Sequence, residues 1–189
     1  MQCVAPDQTA ACTDTTPVCA SDNTCQPCSK HQDCPLSNAC LPNGSCAQAD
    51  QVAYVDPALG TGNACSKAAP CKQVADALKT GRPIAKLTGM IDEQVRINNQ
   101  TVTLLADPGT QLTRMTPGVI LTVDGSSVVQ VVDLAIANGL GPTGIGVSLP
   151  PGNSASLSLL RVSVANNAGG GISASGGSLT MSRSTVTGN

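Results

Sequence analysis

From Ile84 onward the chain alternates short aliphatic stretches with turn-forming residues. Val102-Thr103-Leu104-Leu105 runs into Asp107-Pro108-Gly109, and Val119-Ile120-Leu121-Thr122-Val123 runs into Asp124-Gly125. β-Branched and aliphatic runs of this length, stopped by Asp, Pro and Gly, predict strands. Farther along the pattern becomes a repeat. Val132-Asp133-Leu134-Ala135-Ile136-Ala137-Asn138-Gly139 recurs as Leu160–Asn167 and again as Ser182–Asn189, at spacings of 28 and then 22 residues. A Gly-Ile step follows each of the first two copies, at Gly144-Ile145 and Gly171-Ile172. A strand, an Asn/Gly corner and a Gly-rich return, one coil long, predict a β-solenoid. In this reading Leu134, Ile136, Val162, Val164 and Val186 point inward, and the longer coil carries an extra loop around Leu149-Pro150-Pro151-Gly152-Asn153.

Two further segments precede the solenoid. Residues 51–83 hold a lead-in strand, Val52-Ala53-Tyr54-Val55, ended by Asp56-Pro57. Cys65 and Cys71 follow, far from the other cysteines and expected to pair. Pro70 is read as opening a helix over Cys71–Lys79, with Val74, Ala77 and Leu78 on one apolar face and Gly81 and Pro83 as its stop. Such a helix is suited to capping the first coil. Residues 1–50 contain the other eight cysteines: Cys3, Cys12, Cys19, Cys25, Cys28, Cys34, Cys40 and Cys46. Cys12-x6-Cys19-x5-Cys25 is echoed by Cys34-x5-Cys40-x5-Cys46, with turn sequences Asp22-Asn23-Thr24 and Asn43-Gly44-Ser45 at the tips. With few large apolar residues, this module must rely on disulfides, whose pairing the spacing does not choose. The chain thus divides into 1–50, 51–83 and a parallel β-helix over 84–189.

Composition agrees with that picture. The 189 residues include one Tyr and no Trp or Phe; a narrow interior of stacked aliphatic residues needs no aromatic wedges. The net charge of −2 gives no footprint for nucleic acid, and no apolar run has the length of a membrane span. Ten cysteines point to an oxidising compartment, extracellular or at the cell surface. Met1-Gln2-Cys3 does not open a signal peptide. The sequence stops at Asn189, where the earlier copies continue into a Gly-Ile return, so the β-helix is expected to be truncated there.

The opening Tyr54-Val55-Asp56, the Cys65…Pro70-Cys71 pair with its helix, and the three copies ending in Asn/Gly resemble secreted right-handed parallel β-helix proteins of the pectin lyase fold. The preceding cysteine block resembles Cys-rich repeats in exported proteins of myxobacteria and their relatives. The resemblance implies an all-β fold. Some members of the wider fold cleave acidic polysaccharides, but none of their catalytic motifs can be placed here.

Candidate chemistry is sparse. Asp133, Arg161 and Arg183 share one outward column, read either as a surface ion pair or as the base and cation-holding carboxylate of a lyase. Asn138 and Asn166 fall in one column, and Asn167 and Asn189 in the next; they read as a structural ladder of amides, with sugar binding as the other option. Asp92-Glu93 are adjacent and would face opposite ways in a strand, unlike the paired carboxyls of a glycosidase. His31 is the single histidine; Cys25-x2-Cys28 with His31 suggests zinc, against which disulfides are the better account. The columns Ala135/Ser163/Thr185 and Ala137/Ala165/Thr187 are small and flat, but are not a regular ice-binding Thr ladder. No catalytic, metal or cofactor-binding residue is assigned and no cofactor is expected. The sequence reads as a non-catalytic exported stalk or display protein, whose partner would be an extracellular polysaccharide or another cell-surface component. The alternative is a fragment of a polysaccharide-active lyase or hydrolase.

Overall fold

The structure is a computed structural model that describes residues 12–189. The chain forms two compact units, one through Val52 and one over residues 53–189.

The first unit has almost no regular structure. A hairpin of β1 (Val18–Cys19) and β2 (Cys25–Gln26) is the one sheet among its described residues. Disulfides join Cys12 to Cys25, Cys28 to Cys40 and Cys34 to Cys46. Cys19 is also disulfide-bonded; Cys3 lies outside the described residues. The sequence echo is a structural echo. Cys19 pairs across its hairpin with Cys25, and Cys40 bridges to Cys46 in the same antiparallel sense. The two tips match atom for atom: Asp22 Oδ1 accepts from the Thr24 N–H and hydroxyl, and Asn43 Oδ1 accepts from the same groups of Ser45. In each triplet the first cysteine bonds the third.

The second unit is a β-solenoid of parallel strands. It opens with β3 (Val52–Val55) and the helix α1 (Val74–Lys79). The coils follow: β4 (Ile84–Leu87), β5 (Met90–Asp92) and β6 (Val95–Asn98); then β7 (Thr101–Ala106), β8 (Gln111–Thr113) and β9 (Leu121–Asp124). Next come β10 (Val128–Val132), β11 (Ala135–Ala137) and β12 (Ile145–Leu149), and then β13 (Ser156–Leu160), β14 (Ser163–Ala165) and β15 (Gly170–Ala174). The last layer holds β16 (Ser178–Ser182) and β17 (Thr185–Thr187). Three sheets run along the stack, in the orders β16-β13-β10-β7-β4-β3, β17-β14-β11-β8-β5 and β15-β12-β9-β6.

Register explains why this sequence closes into coils. Val102, Val129, Leu157 and Leu179 lie directly over one another, as do Leu104, Val131, Leu159 and Met181. In the second sheet the column is Ile91, Leu112, Ile136, Val164 and Val186. Alternation sends these residues inward and their neighbours out. Nearly all are buried, whereas Met181 and Val186 are exposed.

At the opposite end the lead-in segment supplies a lid. The Cys65–Cys71 disulfide is fully buried within the core together with Val55, Val74, Ala77 and Leu78. Both cysteines bond β3: Tyr54 N–H donates to the Cys65 carbonyl, and Cys71 N–H to the Tyr54 carbonyl. This pairing corrects the expected helix start. Cys71 is held extended in a parallel bridge to Val55, and the chain becomes helical only at Val74, after an extended Gln73. No side chain of its own caps the helix. Instead Glu93, in the turn between β5 and β6, accepts the Val74 N–H at 2.6 Å and the Ala75 N–H at 2.9 Å. A carboxylate at a helix N-terminus satisfies orphan donors and complements the helix dipole.

Removing this remote cap should matter. Glu93→Ala is expected to lower stability by about 1–2 kcal/mol in urea unfolding. Burial raises the Glu93 carboxyl above its ordinary value of 4.5, the two N–H bonds opposing it. Because the folded value is the higher one, the stability linked to this proton is complete below pH 4.5 and is lost as pH rises through the folded value. Glu93→Gln should remove that pH-dependent component from the unfolding curve, and a mutant profile identical to the native one would refute the assignment.

Candidate functional site

The corners of the solenoid gather most of its polar chemistry. Between the first and second sheets the chain turns through a single residue in the left-handed region: Asp133 at φ 61°, Arg161 at 54° and Arg183 at 52°. Between the second and third sheets Asn138, Asn166 and Gly188 do the same, at 63°, 56° and 63°. Asn and Gly suit this backbone, whereas Arg pays for it by roughly 1 kcal/mol. Arg161 is held there by a two-pronged contact, its Nε donating to Asp133 Oδ1 at 2.6 Å and its terminal nitrogen to Oδ2 at 2.8 Å. The carboxylate raises the Arg161 guanidinium above its usual value. Arg183, exposed, follows one coil on. The column thus occupies corners and not strand positions.

The amide ladder is narrower than the four asparagines suggested. It runs through Asn167 and Asn189 only. Asn167 is fully buried; its Oδ1 accepts the Gly139 N–H, and its Nδ2 donates to the Ile136 carbonyl and to Asn189 Oδ1. Asn189 repeats the arrangement, accepting the Asn167 N–H and donating to the Val164 and Thr187 carbonyls. Asn138 and Asn166 precede this column and supply the left-handed turn. The returning strand makes room for the ladder with glycine: a β-carbon on Gly146 would lie 2.8 Å from Asn167 Nδ2, and one on Gly171 would lie 2.7 Å from Asn189 Nδ2.

Every carboxylate of the second unit has a structural partner. Asp56 accepts the Ala58 and Leu59 N–H groups, Asp76 pairs with Lys79, and Asp92 accepts the Met115 N–H. Glu93 caps the helix, while Asp124 binds Arg96 and its own turn through Gly125 N–H. That N–H, with the Arg96 bond second, holds the Asp124 carboxyl below its usual value. Asp107 receives Lys86 Nζ on Oδ1 and the Thr88 hydroxyl on Oδ2, the latter at 2.7 Å. The Lys86 side chain is 1% exposed. Sequence reasoning missed this lysine, because one cation in the run Pro83-Ile84-Ala85-Lys86-Leu87 looks like an outward strand position. It also missed Arg96, whose partner lies a full coil away.

The first unit offers no thiolate among the described residues. The sulfurs of Cys28, Cys34 and Cys46 lie within 4.8 Å of one another, but each is already bonded to another sulfur. Cys25 is bonded to Cys12, and His31 Nδ1 accepts the Cys40 N–H at 3.1 Å, so the zinc arrangement does not assemble. A groove of about 410 Å³ is lined by Thr13, Asp14, Pro17, Leu36 and Gln48 beside the Cys34–Cys46 bond. Its one carboxylate, Asp14, is bonded by the Gln48 amide.

Residues 1–52 match a family of unknown function (DUF8331). No curated protein and no solved structure matches the chain. The family match coincides with the disulfide-stapled unit and leaves the solenoid outside it.

The two asparagine columns should separate by substitution. Asn167→Ala strands the buried Gly139 N–H and Ile136 carbonyl and is expected to cost about 2–3 kcal/mol. Asn138→Gly, which keeps the left-handed corner, should fall within about 0.5 kcal/mol of the native protein. Equal losses by chemical denaturation would contradict the division between ladder and corner.

Proposed function

We propose that this chain is a non-catalytic, exported β-helix protein of the pectin-lyase-like type, in which the solenoid serves as a stalk or display surface for the disulfide module. The observation that carries this reading is the employment of its carboxylates. Hydrolysis of glycosides asks for two carboxyl groups across a bond, and metal-assisted elimination asks for several converging on a cation. Here Asp107, Asp124 and Asp133 each neutralise a basic residue from another coil, and Glu93 is turned under the helix. Their chemistry goes into fastening one layer to the next.

Export is supported by the sulfur chemistry: the described cysteines are all oxidised, in four bridges and at Cys19, a pattern that belongs with an oxidising compartment. No helix among the described residues is long and apolar enough to cross a membrane. The cysteine-rich unit fits the myxobacterial exported type through its two triplet repeats. An extracellular polysaccharide or another cell-surface component is the partner class this reading assigns.

Incubation of the purified chain with polygalacturonate and with alginate tests the claim. Neither unsaturated product nor new reducing ends should accumulate above a buffer control. Turnover that disappears in Asp133→Ala or Arg161→Ala would replace this reading with a lyase.

A further inference from the structure

Four ion pairs among the described residues are not alike. Lys79, Arg96 and Arg161 keep 76%, 64% and 39% of their side chains in solvent, whereas Lys86 keeps 1%. Lys86 also lies in the row of Leu105 and Val132, both fully buried, with Ile84 and Leu87 beside it on β4. Its amine touches Oδ1 of Asp107, and the other oxygen of that carboxyl is fixed by the Thr88 hydroxyl. Asp107 itself retains 21% exposure, so the carboxyl borders solvent while the amine is dry.

A lysine and a carboxyl in this setting are an amide plus water in another form. We propose that Lys86 and Asp107 condense to an isopeptide bond, which ties the first coil of the solenoid covalently to the second. Nζ bonds to Cγ of Asp107 and the Cγ–Oδ1 bond breaks. Oδ1 departs as water, carrying two of the three ammonium protons, and Oδ2 becomes the amide oxygen. No oxidant or further reactant enters, and neither group changes oxidation state.

The surroundings supply what the step needs. The reactive amine is the neutral one, and burial lowers the Lys86 value, with Asp107 and then Asp133 opposing. The Thr88 hydroxyl donates to the oxygen on which charge builds as nitrogen adds, the role of a single oxyanion donor. Positioning of the two groups before reaction removes most of the entropic barrier to a bimolecular condensation. A buried ion pair bears an unrecovered desolvation cost, and conversion to a neutral amide with release of water removes it. The same chemistry is closed to the other corner pairs that span coils, because both use a guanidinium: Arg96 with Asp124 and Arg161 with Asp133. Asp133 adds its field at Lys86 but is occupied by Arg161.

Mass spectrometry of the purified full chain, denatured and reduced, decides the matter. The native chain should weigh one water less than its sequence, trypsin should fail to cut after Lys86, and a branched peptide should join Lys86 to Asp107. Lys86→Arg, which retains the charge, should restore the full sequence mass, and Thr88→Val should reduce the linked fraction. A native chain at full mass, with a peptide ending at an unmodified Lys86, would overturn the proposal. That measurement needs only the native protein, so the folding of the variants does not affect it.

Discussion

The structure depends on parallel backbone pairing between successive coils. At a strand spacing of about 4.8 Å, a residue in one coil sits directly over its counterpart in the next. Like then stacks on like: Val129 on Leu157, Ile136 on Val164, Asn167 on Asn189. This single constraint selects the composition. A column accepts any aliphatic side chain of similar breadth, and here the interior is filled without an aromatic ring. It also selects the corners, because each turn must redirect the chain and still deliver the next strand in register.

The constraint makes the ends the difficult part. A layer buries its apolar face only if another covers it, so the first coil needs something other than a coil above it. Here the cover is composite: a strand, a short disulfide-closed loop packed into the core, and a helix of six residues whose N-terminus is satisfied by a turn from the coil beneath. A helix so short has little stability of its own. Its existence is therefore a property of the solenoid and not of its own sequence.

That division matches what could be read from the amino acids. The solenoid was legible because its determinants recur: Val132, Leu160 and Ser182 align in the sequence and pair in the structure without a shift. The helix start was misplaced because the pull on Cys71 comes from Val55, far back in the chain, and no local pattern reports it. Lys86 and Asp107 were invisible as a pair for the same reason, since the corner before β8 is longer than its counterparts and breaks the alignment that related the later copies. The disulfide connectivity was not legible, because spacing alone does not choose among the pairings. The structure shows what the spacing left open: in both triplets the first cysteine bonds the third.

Asn167 and Asn189 sit where the returning strand of the preceding coil carries Gly146 and Gly171. One coil earlier the returning strand has Ile120 at the equivalent place, and the following corner has Gly139 where the later coils have asparagine. Bulk appears on one side of this seam or on the other. Neighbouring coils are therefore matched like plug and socket, and a coil duplicated or deleted by recombination would fit only beside a neighbour of the complementary kind. Growth of such an array is grammatical: which unit can follow is written in the one before it.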